Sequence, residues 1–165
     1  MEQSFSLRTD VSLDDLQAII DLHGSIYAAE QGWNVSFKVY VAGPLIDAAR
    51  GLSPRSRIWI AEHGGKLVGC IGMIEASKEA AQLRWLLVDP KARNQGLGKR
   101  LLTEALTFAR EQGFDSVFLW TESSLTVAAR LYAAAGFRKT EERAGWKWGA
   151  GVVEERYELS MAVPE

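Results

Sequence analysis

The chain has 165 residues, of which 47% are hydrophobic and 24% are charged, and its formal net charge is −2. These values are typical of one globular domain, residues 1–165, with a full core, and the lack of a basic excess disfavours a nucleic acid as partner. No segment approaches the about 18 consecutive apolar residues of a transmembrane helix, so no membrane partner is expected.

The periodicity of apolar residues predicts the element order β-α-α-β-β-β-α-β-α-β-β. Ser12 is placed to cap the first helix, with Asp15 in its first turn, and Gly32 is placed to end it. Gly43 and Pro44 are expected to kink or split the second helix. The main predicted elements are a strand Phe5–Arg8, a helix from Ser12 to Gln31, a helix Val35–Arg50, strands Ile58–Glu62, Leu67–Ile74 and Ala81–Val88, a helix Gly98–Gln112, a strand Ser116–Trp120, a helix Leu125–Ala135 and a strand Glu155–Met161.

Helices that bracket a mixed sheet give the class α/β (α+β), as a single domain. Cys70 is the single cysteine, so no internal disulfide can form, and Met1–Ser4 show neither the basic nor the apolar region of a signal peptide. These observations favour a cytoplasmic protein. Exposed strand edges and C-terminal tryptophans are compatible with a homodimer.

A short basic glycine loop follows the most apolar strand and leads directly into a helix. This order directs backbone N–H groups and the positive end of a helix dipole at one spot, which predicts a phosphate site. The residues expected to contact the phosphates are Arg93, Asn94, Gln95, Gly96, Leu97, Gly98, Lys99 and Arg100. We call the segment Arg93–Gly98 the glycine loop. The alternative is a purely structural strand-to-helix turn with solvated basic residues.

Two common phosphate motifs do not fit the glycine loop. A magnesium nucleotide loop needs a glycine at Arg93 and a hydroxyl residue at Arg100. A dinucleotide fingerprint needs a third glycine at Leu101. What remains is Arg93-x-x-Gly96-x-Gly98, a loop suited to a pyrophosphate that is held without a metal.

Two segments of the chain match one family. Leu87-Val88-Asp89-Pro90, followed by the glycine loop and Leu101-Leu102, resembles the acetyl-CoA signature of the GNAT superfamily of acyl-CoA N-acyltransferases. The segment Ala128–Arg138 resembles that superfamily's A-x-x-L-Y-x-x-x-G-F block. One position departs from the pattern, because Leu125 stands where many members carry an asparagine that contacts the cofactor.

The resemblance implies a fold and a cosubstrate. It implies a mixed, mostly antiparallel sheet with helices on both faces, splayed beside the strand that ends at Val88, so that the pantetheine arm of acetyl-CoA lies in the gap. The backbone N–H of Leu87 or Val88 would stabilise the tetrahedral oxyanion. No metal is implied. The acceptor would be the primary amine of a small molecule or a peptide, acetylated by direct attack.

The first half of the chain resembles a narrower group. His23-Gly24, Tyr27-Ala28, Glu30 and Gly32-Trp33, with the later Phe37 and Trp120-Thr121, are similar to the acetyltransferase domain found fused to MarR-type regulators. The chain is too short to hold a DNA-binding module as well. The resemblance therefore implies the free-standing form of this domain.

Tyr132 is the candidate general acid. It lies on a helix stripe with Ala128, Leu131 and Ala135, and a tyrosine on such a face is usually part of the core. In the superfamily, the matching residue points its hydroxyl at the thioester sulfur, so the resemblance implies that Tyr132 protonates the departing thiolate.

Polar side chains continue the apolar face of the first helix. At about 100° per residue, His23, Tyr27 and Glu30 fall within the same arc as Leu16 and Ile19. In one interpretation this face closes over the acceptor, where Glu30 binds the ammonium and His23 or a water takes its proton. In the other, it is the capped end of the core, with His23 hydrogen-bonded to Glu30 or to backbone.

Arg84 precedes the apolar end of its strand and is the candidate ligand for a carboxylate on an amino-acid-like acceptor, although a structural ion pair is equally compatible with it. Trp33 and Trp120 are candidate walls of the acceptor pocket, as are Trp85, Trp146 and Trp148, with core or surface packing as the alternative for each. Two other functions stay open: an acyl-CoA sensor without turnover, and a nucleotide-binding protein, which the missing motif residues disfavour.

Overall fold

A computed structural model describes residues 4–161 and contains one seven-stranded sheet with helices on both faces. Met1–Gln3, on which the expectation about a signal peptide rests, lie outside the described residues. The elements in chain order are β1 Ser6–Arg8, α1 Leu13–Gln31, α2 Ser36–Arg50, β2 Arg57–His63, β3 Lys66–Glu75, β4 Ala80–Val88, a 3₁₀ helix Pro90–Ala92, α3 Leu97–Glu111, β5 Ser116–Glu122, α4 Thr126–Ala134, β6 Arg138–Lys147 and β7 Ala150–Ser160.

The predicted element order and fold class are confirmed. The strands are arranged β1-β2-β3-β4-β5-β7-β6, and all neighbours are antiparallel except β4 and β5. Alternation along β2 divides the core: Ile58 and Ile60 pack with α1 and α2, whereas Trp59 and Ala61 pack on the other face with α3. Among residues 4–161, none of the helices combines the length and the apolar character needed to cross a bilayer.

The ends of α1 form as expected. The Ser12 hydroxyl accepts from the Asp15 N–H, the Asp15 carboxylate accepts from the Ser12 N–H, and Gly32 ends the helix at φ 70°. The expected split of α2 is wrong, because one continuous helix contains Pro44. Val41 and Leu45 are buried on either side of the Gly43-Pro44 pair, so packing outweighs the local cost of the proline.

The splay of the sheet is confirmed and determines where a ligand can enter. The parallel ladder between β4 and β5 covers the pairs Ala80 with Ser116 through Gln82 with Phe118. Beyond Gln82 the two strands diverge towards their carboxyl ends. The gap opens beside the last residues of β4, directly before the glycine loop.

A β-bulge in β4 lies at the mouth of this gap. Gly72 pairs with Arg84 and Cys70 pairs with Leu87. Between these two pairs β4 contains one residue more than β3. Trp85 adopts φ 56° there. Its carbonyl accepts a hydrogen bond from the Cys70 thiol at 3.1 Å, and burial raises the pKa of that thiol to about 12, which keeps the donor protonated. The sequence does not reveal the bulge, because a bulge is a property of cross-strand register.

We expect Gly72→Ala to destabilise the fold by about 1–3 kcal/mol. A Cβ atom at residue 72 would lie 2.6 Å from the Trp85 ring, closer than van der Waals contact allows, so the ring or the strand would have to shift. Chemical denaturation measures the loss. Gly145→Ala, at a position with nothing within 4 Å of the added carbon, is the matched control. An equal stability of the two variants would contradict this account of the bulge.

Candidate active site

A cavity of about 130 Å³ lies where β4 and β5 diverge, and α1, α2, α4 and β7 close its sides. It brings together residues that are far apart in the sequence. Eight of the candidate site residues that the sequence singles out line it: His23, Tyr27, Trp33, Arg84, Trp85, Trp120, Tyr132 and Trp148. Leu125 also lines it and places an apolar side chain in the wall.

Tyr132 projects from α4 into the cavity and is only 5% exposed. Phe137 and Tyr157 flank its ring, with centroids 5.8 and 6.1 Å away. Burial, followed by the nearby Tyr27, raises the pKa of the Tyr132 phenol. The hydroxyl therefore stays protonated at neutral pH, which a general acid requires.

His23 is buried and hydrogen-bonded to the backbone. Its Nδ1 lies 2.7 Å from the Ile19 carbonyl oxygen, and a carbonyl can only accept, so Nδ1 carries the hydrogen. Nε2 is then the nitrogen with a lone pair. Burial lowers the pKa of His23 to about 4, so the ring is neutral at physiological pH. The backbone bond matches the capped-core interpretation, while His23 also lines the cavity, as the acceptor interpretation requires.

Glu30 does not reach the cavity with His23 and Tyr27. Its two carboxylate oxygens accept from the Arg93 guanidinium at 2.7 and 2.8 Å. The helical arc of α1 places Glu30 correctly on the same side of the helix, but the residue lies at the end of that helix, where the glycine loop passes. Glu30, the candidate ligand of the ammonium, is therefore absent from the cavity lining that contains Arg84, the candidate ligand of the carboxylate.

Arg84 lies in the cavity wall as a cation without a carboxylate partner. Within residues 4–161, no carboxylate approaches its guanidinium within 4.0 Å, and its hydrogen bond is to the Gln82 side chain at 3.4 Å. The guanidinium lies 5.3 Å from the centre of the Trp85 ring. Burial lowers the pKa of Arg84, and the nearby Tyr40 opposes this shift. Arg84 thus lines the cavity, and no carboxylate of the described residues neutralises its charge.

Sequence reasoning missed two carboxylates in the lining, Glu122 and Glu154. They face each other across β5 and β7. Burial would raise the pKa of Glu122, but hydrogen bonds from Ser124, Val153 and Ser123 together lower it. Glu154 forms an ion pair with Lys147 at 2.6 Å. The predicted strands ended at Trp120 and began at Glu155, one or two residues short of both acids.

Stacked aromatic rings form the outer wall of the cavity. Trp33 stacks on Tyr27 at 5.2 Å and approaches Trp148 at 4.6 Å, and Phe37 joins them at 4.9 Å from Trp33. Phe37 and Trp148 come from α2 and from the turn between β6 and β7, so three separate parts of the chain build this wall. Such a surface favours an acceptor with a flat or apolar part.

The glycine loop leaves the start of α3 open. Gly96 caps the helix at φ 78°, a conformation that favours glycine, and the Arg100 N–H makes the first intrahelical bond to the Gly96 carbonyl at 3.0 Å. The N–H groups of Leu97, Gly98 and Lys99 precede that bond and have no partner within the helix. The side chain of Arg100 is occupied elsewhere, because it donates to the Phe5 carbonyl at 2.9 Å.

Strand register separates the two backbone candidates for an oxyanion donor. The Asp89 N–H donates to the Val68 carbonyl of β3 at 2.8 Å. Since neighbouring residues of a strand direct their N–H groups to opposite edges, Leu87 also faces β3 and Val88 faces the gap beside β5. The Val88 carbonyl accepts from Arg93 Nε at 3.4 Å, which agrees with this direction.

Comparisons with known proteins find relatives in sequence and in fold. The chain is 33% identical over 121 residues to human N-acetyltransferase 8, covering 69% of this chain and 53% of that protein. A GNAT family acetyltransferase structure from Staphylococcus aureus Mu50 superposes with a TM-score of 0.79 at 20% identity, over 96% of this chain and all of that one. One from Elizabethkingia anophelis with acetyl-CoA bound gives 0.67 at 18% identity, over 95% and 98%.

The extent of these matches differs between the comparisons. The chain spans about half the length of the mammalian relatives that it matches. The family description "Acetyltransferase (GNAT) family" matches residues 17–137, which include the cavity lining from His23 to Tyr132, the glycine loop and α3. This chain therefore belongs to the GNAT family of acetyltransferases.

Proposed function

We propose that the chain is an N-acetyltransferase that transfers the acetyl group of acetyl-CoA to the primary amine of a small, amino-acid-like molecule. The observation that carries the proposal is the cavity at the strand divergence, which has Tyr132 in its wall, beside the strand β4 that leads to the glycine loop and α3. The proposal also draws on the related structure that holds acetyl-CoA.

The cosubstrate would lie along the gap between β4 and β5. Its pyrophosphate would accept from the N–H groups of Leu97, Gly98 and Lys99 at the start of α3, where the helix dipole favours an anion. The amides of the pantetheine arm would pair with the free edge of β4. The thioester would then reach the cavity between Val88 and Tyr132. Asn94 and Gln95, also proposed from the sequence, lie in the glycine loop before Gly96, and their contact with the phosphates stays a prediction.

The reaction is a direct transfer. The neutral amine nitrogen attacks the thioester carbonyl carbon, a C–N bond forms, and the Val88 N–H stabilises the oxyanion. When the C–S bond breaks, the CoA thiolate takes the proton of Tyr132. Before the attack, the ammonium form of the acceptor loses one proton to His23 Nε2 or to water. After the attack, the nitrogen loses a second proton to water, and the Tyr132 phenolate takes up a proton from water, which restores the neutral tyrosine. A pKa of about 4 makes His23 a weak base, which favours a water-mediated route to solvent.

The charges in the cavity would select the acceptor. An ammonium group would be attracted to Glu122 and Glu154, which replace Glu30 in this role, because both carboxylates line the cavity. A carboxylate on the acceptor would bind Arg84, whose guanidinium has no acidic partner in the described chain. A flat or apolar remainder would pack on the aromatic wall of Trp33, Phe37 and Trp148.

The first experiment separates the candidate functions. Acetyl-CoA and CoA should each raise the melting temperature, and ATP and NAD should not. Release of free thiol should then depend on an amine, in a screen over amino acids, polyamines and peptides. Stabilisation by acetyl-CoA without thiol release from any amine would favour the non-catalytic sensor. Stabilisation by ATP or NAD alone would contradict a CoA site.

We expect Arg84→Gln to raise the KM for an acceptor that carries a carboxylate by about 10- to 100-fold, the loss of a charged hydrogen bond. Steady-state kinetics at saturating acetyl-CoA measures it. The matched control is the carboxamide of the same acceptor, for which wild type and variant should have similar KM values. An equal rise for acid and amide would contradict recognition of the carboxylate by Arg84.

A further inference from the structure

The pairing of Glu30 with Arg93 joins the end of α1 to the first residue of the glycine loop. The two side chains are 63 positions apart in sequence, and both nitrogen atoms at the end of the guanidinium are used, one for each carboxylate oxygen. Such a bidentate pair fixes direction as well as distance. The third nitrogen, Nε, donates to the carbonyl of Val88, the last residue of β4. One guanidinium therefore connects three elements.

The helix itself gives no reason for an acid at this position. Glu30 lies in the last turn of α1, where the helix dipole is negative, and that turn contains no basic residue. An acidic side chain there is unfavourable unless a cation compensates it. The compensating cation is Arg93. Glu30 is therefore placed to serve the glycine loop, which lies outside its own helix.

The same turn of α1 reaches the acceptor cavity. Tyr27 lies one turn before Glu30 and lines the cavity, where it stacks on Trp33 and meets Phe37 edge-on at 4.9 Å. Burial raises the pKa of the Tyr27 phenol to about 12. The charge of Arg93 lowers this pKa and the charge of Glu30 raises it, which means that the ion pair lies close to the phenol. The ring contacts of Tyr27, with Trp33 and Phe37, involve neither Glu30 nor Arg93, so the wall does not depend on the pair.

We propose that Glu30 is a positioning residue of the cofactor site: it holds Arg93 against the Val88 carbonyl and so fixes the glycine loop in the form that receives the pyrophosphate. The proposal rests on the proposed use of acetyl-CoA. It assigns Glu30 to the cosubstrate and not to the amine. Without the pair the loop must be ordered on binding, and that ordering weakens the affinity.

The test is direct binding of acetyl-CoA and of CoA by calorimetry, which needs no acceptor. Glu30→Gln keeps the size of the side chain and removes its charge. We expect it to raise the dissociation constants of both ligands about fivefold. Glu111→Gln, the same change at the far end of α3 on an exposed residue, should bind both as the wild type does. In an Arg93→Gln background, Glu30→Gln should have no further effect.

A kinetic measurement distinguishes positioning from contact with the amine. At saturating acetyl-CoA, Glu30→Gln should leave the KM of the amine unchanged, and at saturating amine it should raise the KM of acetyl-CoA. A raised amine KM with unchanged acetyl-CoA binding would overturn the inference. Additive effects of Glu30→Gln and Arg93→Gln on acetyl-CoA binding would overturn it as well. If the wild type binds acetyl-CoA and Glu30→Gln binds it equally well, the inference alone fails. If the wild type binds neither acetyl-CoA nor CoA, the proposed function fails first.

Discussion

Tyr132→Phe should lower kcat by about 10²-fold or more and leave the affinity for acetyl-CoA unchanged. The substitution removes the proton that the departing CoA thiolate needs, and it preserves the ring that packs between Phe137 and Tyr157. Because burial raises the pKa of the Tyr132 phenol, the acid stays protonated well into the alkaline range. The wild type should therefore show no loss of kcat up to about pH 9, at which an unperturbed phenol is still largely protonated.

Three measurements check this result. Steady-state kinetics gives kcat, calorimetry gives the dissociation constant of acetyl-CoA, and thermal unfolding shows that the variant is folded. Tyr157→Phe is the matched control, because Tyr157 is a neighbouring phenol that is absent from the cavity lining. A Tyr132→Phe enzyme with wild-type kcat across the pH range would exclude Tyr132 as the acid.

Val88→Pro should lower kcat by about 10²- to 10³-fold, the typical cost of removing one oxyanion donor. Proline has no N–H, and the N–H of Val88 faces the gap, so the β3–β4 ladder loses no hydrogen bond. Val88→Ala keeps the N–H and is the matched control. It should retain kcat within a few-fold.

The comparison of these two variants isolates the backbone group from the side chain. Circular dichroism should show the same strand content in both, since the bonds to β3 next to Val88 come from Leu87 and Asp89. If Val88→Pro and Val88→Ala have equal kcat, another donor stabilises the oxyanion. Val88 would then not be the oxyanion donor that the strand register indicates.

Local signals in the sequence predicted much of the fold. Ser12, Asp15 and Gly32 bound α1 through short-range hydrogen bonds and a left-handed turn, which depend on few neighbours. The predicted split at Pro44 is wrong because the cost of a proline is local, whereas the burial of Leu45 is a tertiary effect. The glycine loop was recognisable for a similar reason, since a strand, a loop and a helix start follow one another in the chain.

The parts of the site that escaped prediction depend on contacts between distant segments. Helical spacing placed Glu30 on the correct side of α1, but the ion pair with Arg93 is visible only in the folded chain. Glu122 and Glu154 meet because β7 inserts between β5 and β6, an order that the sequence does not state. The choice between Leu87 and Val88 needed the register of β4 on β3.

The proposed reaction passes an acetyl group from a thioester to an amine inside the cavity. The most direct test is to mix the wild-type protein with acetyl-CoA and the best amine of the screen, and to count products by mass spectrometry. The expected result is one N-acetylated amine for each CoA released, with neither formed at a comparable rate by Tyr132→Phe. Release of CoA without N-acetylated amine, or the same yield from the variant, would contradict the account.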